Sequence, residues 1–283
     1  MKTLKTPEEM QAACRDLRRQ GKRIGLVPTM GALHAGHLSL VRAARAACDV
    51  VAVSIFVNPT QFGPNEDFSN YPRDLERDSA LLLAEGVDLV FAPSAEAMYP
   101  AGASTFVTVE GISERLDGAS RPGHFRGVTT VVSKLLHIVM PQRAFFGQKD
   151  AAQVAVLRWM VRDLNLDVEL VICPIVREAD GLALSSRNVY LDPEHRRQAL
   201  VLSRAMTRAR EVAAAGEHSS AKILQEARAV LASEPAVRID YLAAVHPETL
   251  EDVADLREGA LIAVAAYVGP TRLIDNVVIE ENS

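Results

Sequence analysis

His34 and His37 stand three residues apart in Pro28-Thr29-Met30-Gly31-Ala32-Leu33-His34-Ala35-Gly36-His37, between the apolar run 24–27 and an alanine-rich helical pattern over 38–48. A strand therefore feeds a glycine-broken loop that delivers both imidazoles to the start of a helix. Free N–H groups and the positive dipole end at such a start attract phosphate. Gly31 and Gly36 carry no Cβ, so the main chain can come close to a ligand. Two rings at this spacing share a helical face and can donate to one oxygen-rich group, which suits charge that builds on a phosphate during displacement. Zinc is the competing use of a histidine pair, but no third ligand stands at a convincing spacing and the three cysteines are scattered. The decapeptide reads as a nucleotide site.

Three further polar groups follow apolar runs. Gln61, just beyond 50–57, carries two donors and an acceptor and can hold a hydroxyl and a carboxylate together. Asn58-Pro59 before it is a turn signal. Lys149-Asp150 follows Phe145-Phe146-Gly147; in isolation such a pair is a surface ion pair of little energetic weight, but beside a glycine it makes a phosphate clamp. Ser185-Ser186-Arg187 combines two hydroxyls with a guanidinium that can bind two phosphate oxygens at once, against the plainer reading of a serine-capped turn. The basic stretch Arg121-Pro122-Gly123-His124-Phe125-Arg126-Gly127 either closes over substrates or caps the helix after it. Gly118 and Gly123 have P-loop spacing, yet His124-Phe125 replaces the required Lys-Ser/Thr, so a Walker-type site is rejected.

The elements that must position these groups alternate. Strand patterns at 24–27, 50–57, 89–92, 144–146 and 168–173 are separated by helical patterns at 38–48, 74–85, 128–139 and 151–164. That order predicts an α/β fold: a doubly wound parallel sheet with helices on both faces. Residues 105–109 are an expected additional strand. Ligands in such sheets gather beyond the carboxyl ends of the strands, where 28–37, 58–62 and 147–150 fall. After about residue 176 the character changes. Asp192-Pro193-Glu194 starts a helix running to about residue 215, a second covers 220–231, and strands over 237–245, 261–268 and 273–279 follow, with Gly269-Pro270 as a turn. The division is therefore placed at 1–176, a Rossmann-like first domain, and 177–283, a smaller α+β domain acting as a cover.

With 283 residues, 48% apolar and 24% charged, the chain can bury a sizeable core. Its net charge of −5 gives no general attraction to nucleic acid or anionic membrane, so an anionic substrate needs local cations. No signal peptide or bilayer-length apolar run is legible, and three scattered cysteines argue against a disulfide scaffold. The expected compartment is the cytoplasm.

Five blocks in order, namely the decapeptide, Phe56-Val57-Asn58-Pro59-Thr60-Gln61-Phe62, the Arg121 to Gly127 stretch, Phe146-Gly147-Gln148-Lys149-Asp150 and Asp180-Gly181-Leu182-Ala183-Leu184-Ser185-Ser186-Arg187-Asn188, resemble the pantoate–β-alanine ligase (pantothenate synthetase) family. That family lies in the nucleotidyltransferase superfamily, whose signature is His-x-Gly-His after a strand. The resemblance implies ATP-dependent condensation of (R)-pantoate with β-alanine through a pantoyl-adenylate, releasing AMP and pyrophosphate. It implies His37 as the catalytic donor with His34. It places ATP against Met30, Gly31, Ala32, Leu33, His34, Ala35, Gly36, His37, Gly147, Gln148, Lys149, Asp150, Val176, Leu184, Ser185, Ser186 and Arg187. Gln61 and Gln153 are implied as pantoate ligands and Gln61 also as a β-alanine ligand. Magnesium, with no protein ligand named, and a homodimer complete the set. The chain departs from the family in having Ala152 before Gln153, where two glutamines are usual, and Leu184 where methionine is usual. Two other readings stand beside this one: an adenylyltransferase that leaves the nucleotide on a phosphorylated acceptor, and a non-catalytic nucleotide-binding module.

Overall fold

The computed structural model describes residues 1–64 and 66–281. The chain divides into two compact units: Met1–Glu114 with Arg121–Gln148 and Val156–Pro174, and Arg115–Ser120 with Lys149–Ala155 and Ile175–Ser283.

Six strands build the sheet of the first unit: β1 (Lys2–Leu4), β2 (Ile24–Thr29), β3 (Val50–Ile55), β4 (Leu89–Phe91), β5 (Arg143–Gly147) and β6 (Glu169–Cys173). Every pairing is parallel and the order is β1-β4-β3-β2-β5-β6. The chain winds outward from β2 through β3 to β4, then crosses back to place β5 on the other side of β2. The switch in winding falls between β2 and β5, where open sheets of this kind leave a crevice at the strand carboxyl ends. Ile24, Leu26 and Val27 are fully buried, as expected for a central strand covered on both faces. Helix α1 (Pro7–Arg19) begins with a capping box in which Thr6 and Glu9 satisfy each other's backbone N–H groups. On one face of the sheet Val27, Val51, Val53, Val90 and Phe145 pack with Leu40, Val41 and Ala44 of α2 (Ala35–Ala47) and Leu82 of α3 (Leu75–Ala84). Two short helices, α4 (Ala95–Met98) and α5 (Asp117–Ser120), interrupt the long excursion after β4.

Two local features depart from the sequence expectation. Residues 105–109 form no strand, because the Val107 backbone bonds to side chains instead. Its N–H donates to Thr130 Oγ1 at 3.0 Å and its carbonyl accepts from Thr129 Oγ1 at 2.6 Å. Strand β1 was unforeseen; three residues headed by lysine carry too little apolar pattern to be read, yet they extend the sheet along β4.

In the second unit Asp192 accepts from His195 N–H at 2.8 Å and starts the helix Pro193–Ala214; the helix over Ser220–Leu231 follows. Both pack on an antiparallel sheet of β7 (Val237–Val245), β8 (Ala260–Val268) and β9 (Thr271–Ile279) in that order. The central strand β8 is almost wholly buried, and Leu202, Met206, Ile223, Ile262 and Val264 lie in one apolar cluster. Arg272 ties the short segment Arg115–Ser120 to this sheet, donating to Asp117 at 2.7 Å and Asp240 at 2.8 Å. No helix of the described residues is long and apolar enough to cross a membrane. Cys14, Cys48 and Cys173 are free and buried.

Candidate active site

The carboxyl end of β2 continues into the decapeptide, and the two histidines act there as a helix cap. His34 is the N-cap residue of α2: its Nδ1 accepts from Gly36 N–H at 3.2 Å, while His37 Nδ1 faces His34 N–H at 3.4 Å. The ring centroids are 4.0 Å apart with planes tilted by 35°. This arrangement selects a tautomer. A ring whose Nδ1 accepts from the backbone carries its proton on Nε2 when neutral. Each imidazole therefore presents an N–H donor from Nε2 at a helix N-terminus, where negative charge is favoured.

The loop before the cap is bent and braced. Gly31 and Ala32 have φ of +84° and +50°, so two consecutive residues are left-handed, and the alanine carries a steric cost. Asp78, a carboxylate 1% exposed on α3, offsets it: Oδ1 accepts from Leu33 N–H at 2.8 Å. Burial, only partly offset by the backbone N–H groups of Leu33 and Ala32, holds this carboxyl above the usual range. A Cβ on Gly31 would stand 3.1 Å from Asp78 Oδ2 and from Ile55. The sequence reading missed Asp78. Its signal was a carboxylate one helical turn before buried Leu82, on the face meant for the core.

Beyond β3 the turn Pro59–Gln61 is capped by Asn58, which is 1% exposed. Asn58 Nδ2 donates to Gln61 Oε1 at 3.0 Å and to the Gly127 carbonyl at 3.1 Å, and its Oδ1 accepts from Tyr99 OH at 2.8 Å. Gln61 Nε2 in turn points at Met30 Sδ, 3.2 Å away. Gln61 and the decapeptide thus meet directly. The Arg121 to Gly127 stretch serves this turn. His124 Nδ1 lies 2.9 Å from the Gln61 carbonyl, which also receives Arg121 Nη2 at 3.3 Å. Arg121 is anchored to Glu66 at 2.6 and 2.7 Å. Burial of Glu66 opposes ionisation, but the guanidinium outweighs it and the carboxyl sits below its ordinary range. Gly127 is required sterically: a Cβ there would lie 2.6 Å from the Gln61 backbone nitrogen and closer still to the Thr60 carbonyl oxygen. Helix α6, His124–Val139, therefore begins four residues before the expected position 128, right against the Gln61 turn.

Gly147 ends β5, and Gln148–Asp150 forms a short 3₁₀ turn leading into α7, Ala151–Asp163. Gly147 and Gln148 belong to the first unit; Lys149, Asp150 and half-buried Gln153 belong to the second. Lys149 Nζ lies 3.8 Å from Asp150. In the second unit Leu184 N–H donates to the Val176 carbonyl at 3.0 Å, closing a turn over 177–183. Arg196 latches that turn through Glu178 at 2.8 Å and Asp180 at 2.7 Å. Ser185 Oγ caps the next turn by accepting from Arg187 N–H at 3.2 Å. The plain reading of a capped turn is thus met, and the Ser185 hydroxyl keeps its proton as a donor. Within the first unit, then, Gln61 meets Met30 and His34 meets His37. Within the second, Val176 and Leu184 meet, and Ser185 to Arg187 follow immediately. Among the described residues no three His, Cys, Asp or Glu side chains cluster as a metal cage.

A parallel sheet with paired imidazole donors at its winding switch defines an α/β nucleotide-handling enzyme. The family described as "Pantoate-beta-alanine ligase" matches residues 2–278, and the chain belongs to that family. It is an ATP-dependent ligase by that membership. It is 64% identical over 281 residues to the pantothenate synthetase of Koribacter versatilis (strain Ellin345), covering 99% of this chain and 96% of the relative. Pantothenate synthetase from Thermus thermophilus superimposes with a TM-score of 0.94 at 54% identity, over 98% of this chain and 99% of that one. A pantoate-beta-alanine ligase from Francisella tularensis, complexed with beta-gamma ATP and beta-alanine, gives 0.81 at 34% identity over 98% and 97%.

Proposed function

We propose that the protein joins pantoate to β-alanine at the expense of ATP, making pantothenate in two displacements. A pantoate carboxylate oxygen attacks the α-phosphorus of ATP, the bond to the bridging oxygen breaks, and pyrophosphate leaves. The neutral amine of β-alanine then attacks the acyl carbon of the pantoyl-adenylate. The acyl–oxygen bond breaks, AMP departs, and the amine loses a proton as the amide forms. A carboxylate is inert to amines, whereas its adenylate carries a good leaving group, so no protein nucleophile is needed.

His37 and His34 supply Nε2–H donors to the phosphate oxygens on which charge accumulates, with His37 the catalytic donor. Gly31, Ala32, Leu33, Ala35, Gly36, Gly147 and Gln148 line ATP through their backbone, and Met30 contributes its side chain. Lys149, Ser185, Ser186 and Arg187 spread the triphosphate charge, Asp150 stands by the ribose or the metal, and Val176 and Leu184 hold the adenine. Gln61 and Gln153 hold pantoate, and Gln61 later receives β-alanine. Magnesium bound to the phosphates would neutralise charge on the leaving pyrophosphate. The smaller domain, 177–283, serves as a cover that keeps water from the adenylate. The protein works in the cytoplasm as a homodimer, so light scattering should return about twice its 30.7 kDa.

The observation that carries this reading is Gln61, fixed between Asn58 and Met30, the latter in the same loop that leads to two histidines whose Nδ1 atoms face the backbone. The test supplies ATP, Mg²⁺, pantoate and β-alanine and identifies the nucleotide product. Free AMP with pyrophosphate and pantothenate is expected, together with pantoate-dependent pyrophosphate exchange when β-alanine is omitted. AMP retained in the product would point to an adenylyltransferase, and ATP binding without exchange to a non-catalytic module.

A further inference from the structure

Strand β9 carries two adjacent buried polar residues, Asp275 and Asn276, 3% and 4% exposed. Neighbours on a strand point to opposite faces, so this dipeptide can serve both sides of the sheet. Asp275 interrupts a row in which Leu273, Val277 and Ile279 all pack on the apolar cluster of the second unit. A carboxylate there costs desolvation energy, and a well-packed apolar residue at such a position is often as stable or more so. Core packing alone does not call for this pair.

Their partners explain them better. Asp275 accepts from Arg177 Nη1 at 2.7 Å and Nη2 at 2.9 Å, a bidentate contact. The same Nη1 reaches the Gly181 carbonyl at 3.2 Å, bracing the turn that leads from Val176 to Leu184. Asn276 Nδ2 donates to the Lys149 carbonyl at 2.9 Å. That carbonyl lies in the turn Gln148–Asp150, from which the Lys149 side chain departs. One dipeptide thus reaches two chain segments that lie 98 and 127 residues before it.

We infer that Asp275 and Asn276 are positioning residues for ATP: Asn276 sets the backbone from which Lys149 reaches the phosphates, and Asp275, through Arg177, sets the turn that delivers Ser185 to Arg187. The inference rests on the assignment of Lys149 to ATP made above. Neither residue touches substrate. Their effect is geometric, and small displacements of a charge-bearing group cost catalysis steeply.

A double-variant cycle on the full-length protein tests this, with Asn276→Ala, Lys149→Ala and the pair, reading kcat and KM for ATP and β-alanine together with Tm. Asn276→Ala is expected to lower kcat/KM for ATP by roughly tenfold to a hundredfold, with KM for β-alanine unchanged. In the Lys149→Ala background the same change should cost less than about twofold, because the group it positions is gone. Losses that multiply independently would overturn the inference, since a merely structural asparagine weakens both backgrounds alike. An inert Asn276→Ala beside a damaging Lys149→Ala would overturn it while leaving the ATP assignment standing. An inert Lys149→Ala would remove the assignment and the inference with it. If Asn276→Ala fails to fold, Asn276→Ser, which keeps a shorter donor, takes its place in the cycle under the same criteria.

Discussion

The loop after β2 and the turn after β5 both carry residues assigned to ATP, and they are held in opposite ways. His34 and His37 bond to backbone N–H groups no more than three residues away. Lys149 and the 176–184 turn are held from β9, about a hundred residues further on. A locally held group keeps its geometry wherever its helix forms; a remotely held group has a defined position only once its unit has folded. The first kind of site is robust and legible, and the second is sensitive to changes that no motif marks.

The largest expected effect breaks the locally held region at its chemistry. His37→Ala should lower pantoate-dependent pyrophosphate exchange by about 10²–10³-fold, or about 3–4 kcal/mol in the barrier. Its Tm should move little, since His34 still caps α2. An unchanged exchange rate would remove His37 from the mechanism. Arg177→Ala breaks the remote brace and leaves Asp275, whose side chain is 2% exposed, without its bidentate partner. A loss of about 3 kcal/mol in urea unfolding is expected. A cost within error of zero would mean that the brace does not fix the turn.

Gly127→Ala lies between these extremes, because the site is local but its support is not. The new Cβ must push the Thr60 and Gln61 backbone aside, at a cost of about 2 kcal/mol, with KM for pantoate rising as Gln61 moves. Equal KM values in variant and wild type would show that the turn yields without disturbing its side chain. The smallest effect sharpens the comparison at Asp78, the distant brace of the otherwise local loop. Burial raises its carboxyl above the ordinary 3.8, so the folded state holds that proton more tightly than the unfolded chain does. Its contribution is present at low pH and is lost as pH rises upward from 3.8 through the folded value. Relative to Asp78→Asn, wild-type stability in urea should therefore fall with rising pH over that window. A parallel pair of curves would refute the assignment.

These contrasts explain what could be read in advance. Alternation of apolar runs with helical patterns located β2 to β6 and, between them, α2, α3, α6 and α7 but not the short α4 and α5, because a strand buried on both faces must be apolar along its length. The two histidines at the start of α2 were legible for the same local reason that they are well held. Residues 105–109 misled because β-branched pattern says nothing about which partner a backbone will find, and Thr129 and Thr130 claimed it. Asp275 and Asn276 left almost no signal, and neither the turn signal at Asn58 nor the carboxylate of Asp78 on a core-facing helix side told what each would hold: a buried polar residue is identified by its partner, and the partners are scattered along the chain.

Composition and periodicity by themselves determined that the chain builds a parallel sheet wrapped by helices, followed by a smaller antiparallel sheet, with imidazoles at a helix start. Only the tertiary structure decided which nitrogen of each ring carries the proton, which helix stands behind Gln61, and which strand steadies Lys149. Periodicity records how each residue divides between water and core, whereas hydrogen bonds between distant residues exist only after the chain has brought them within about 3 Å.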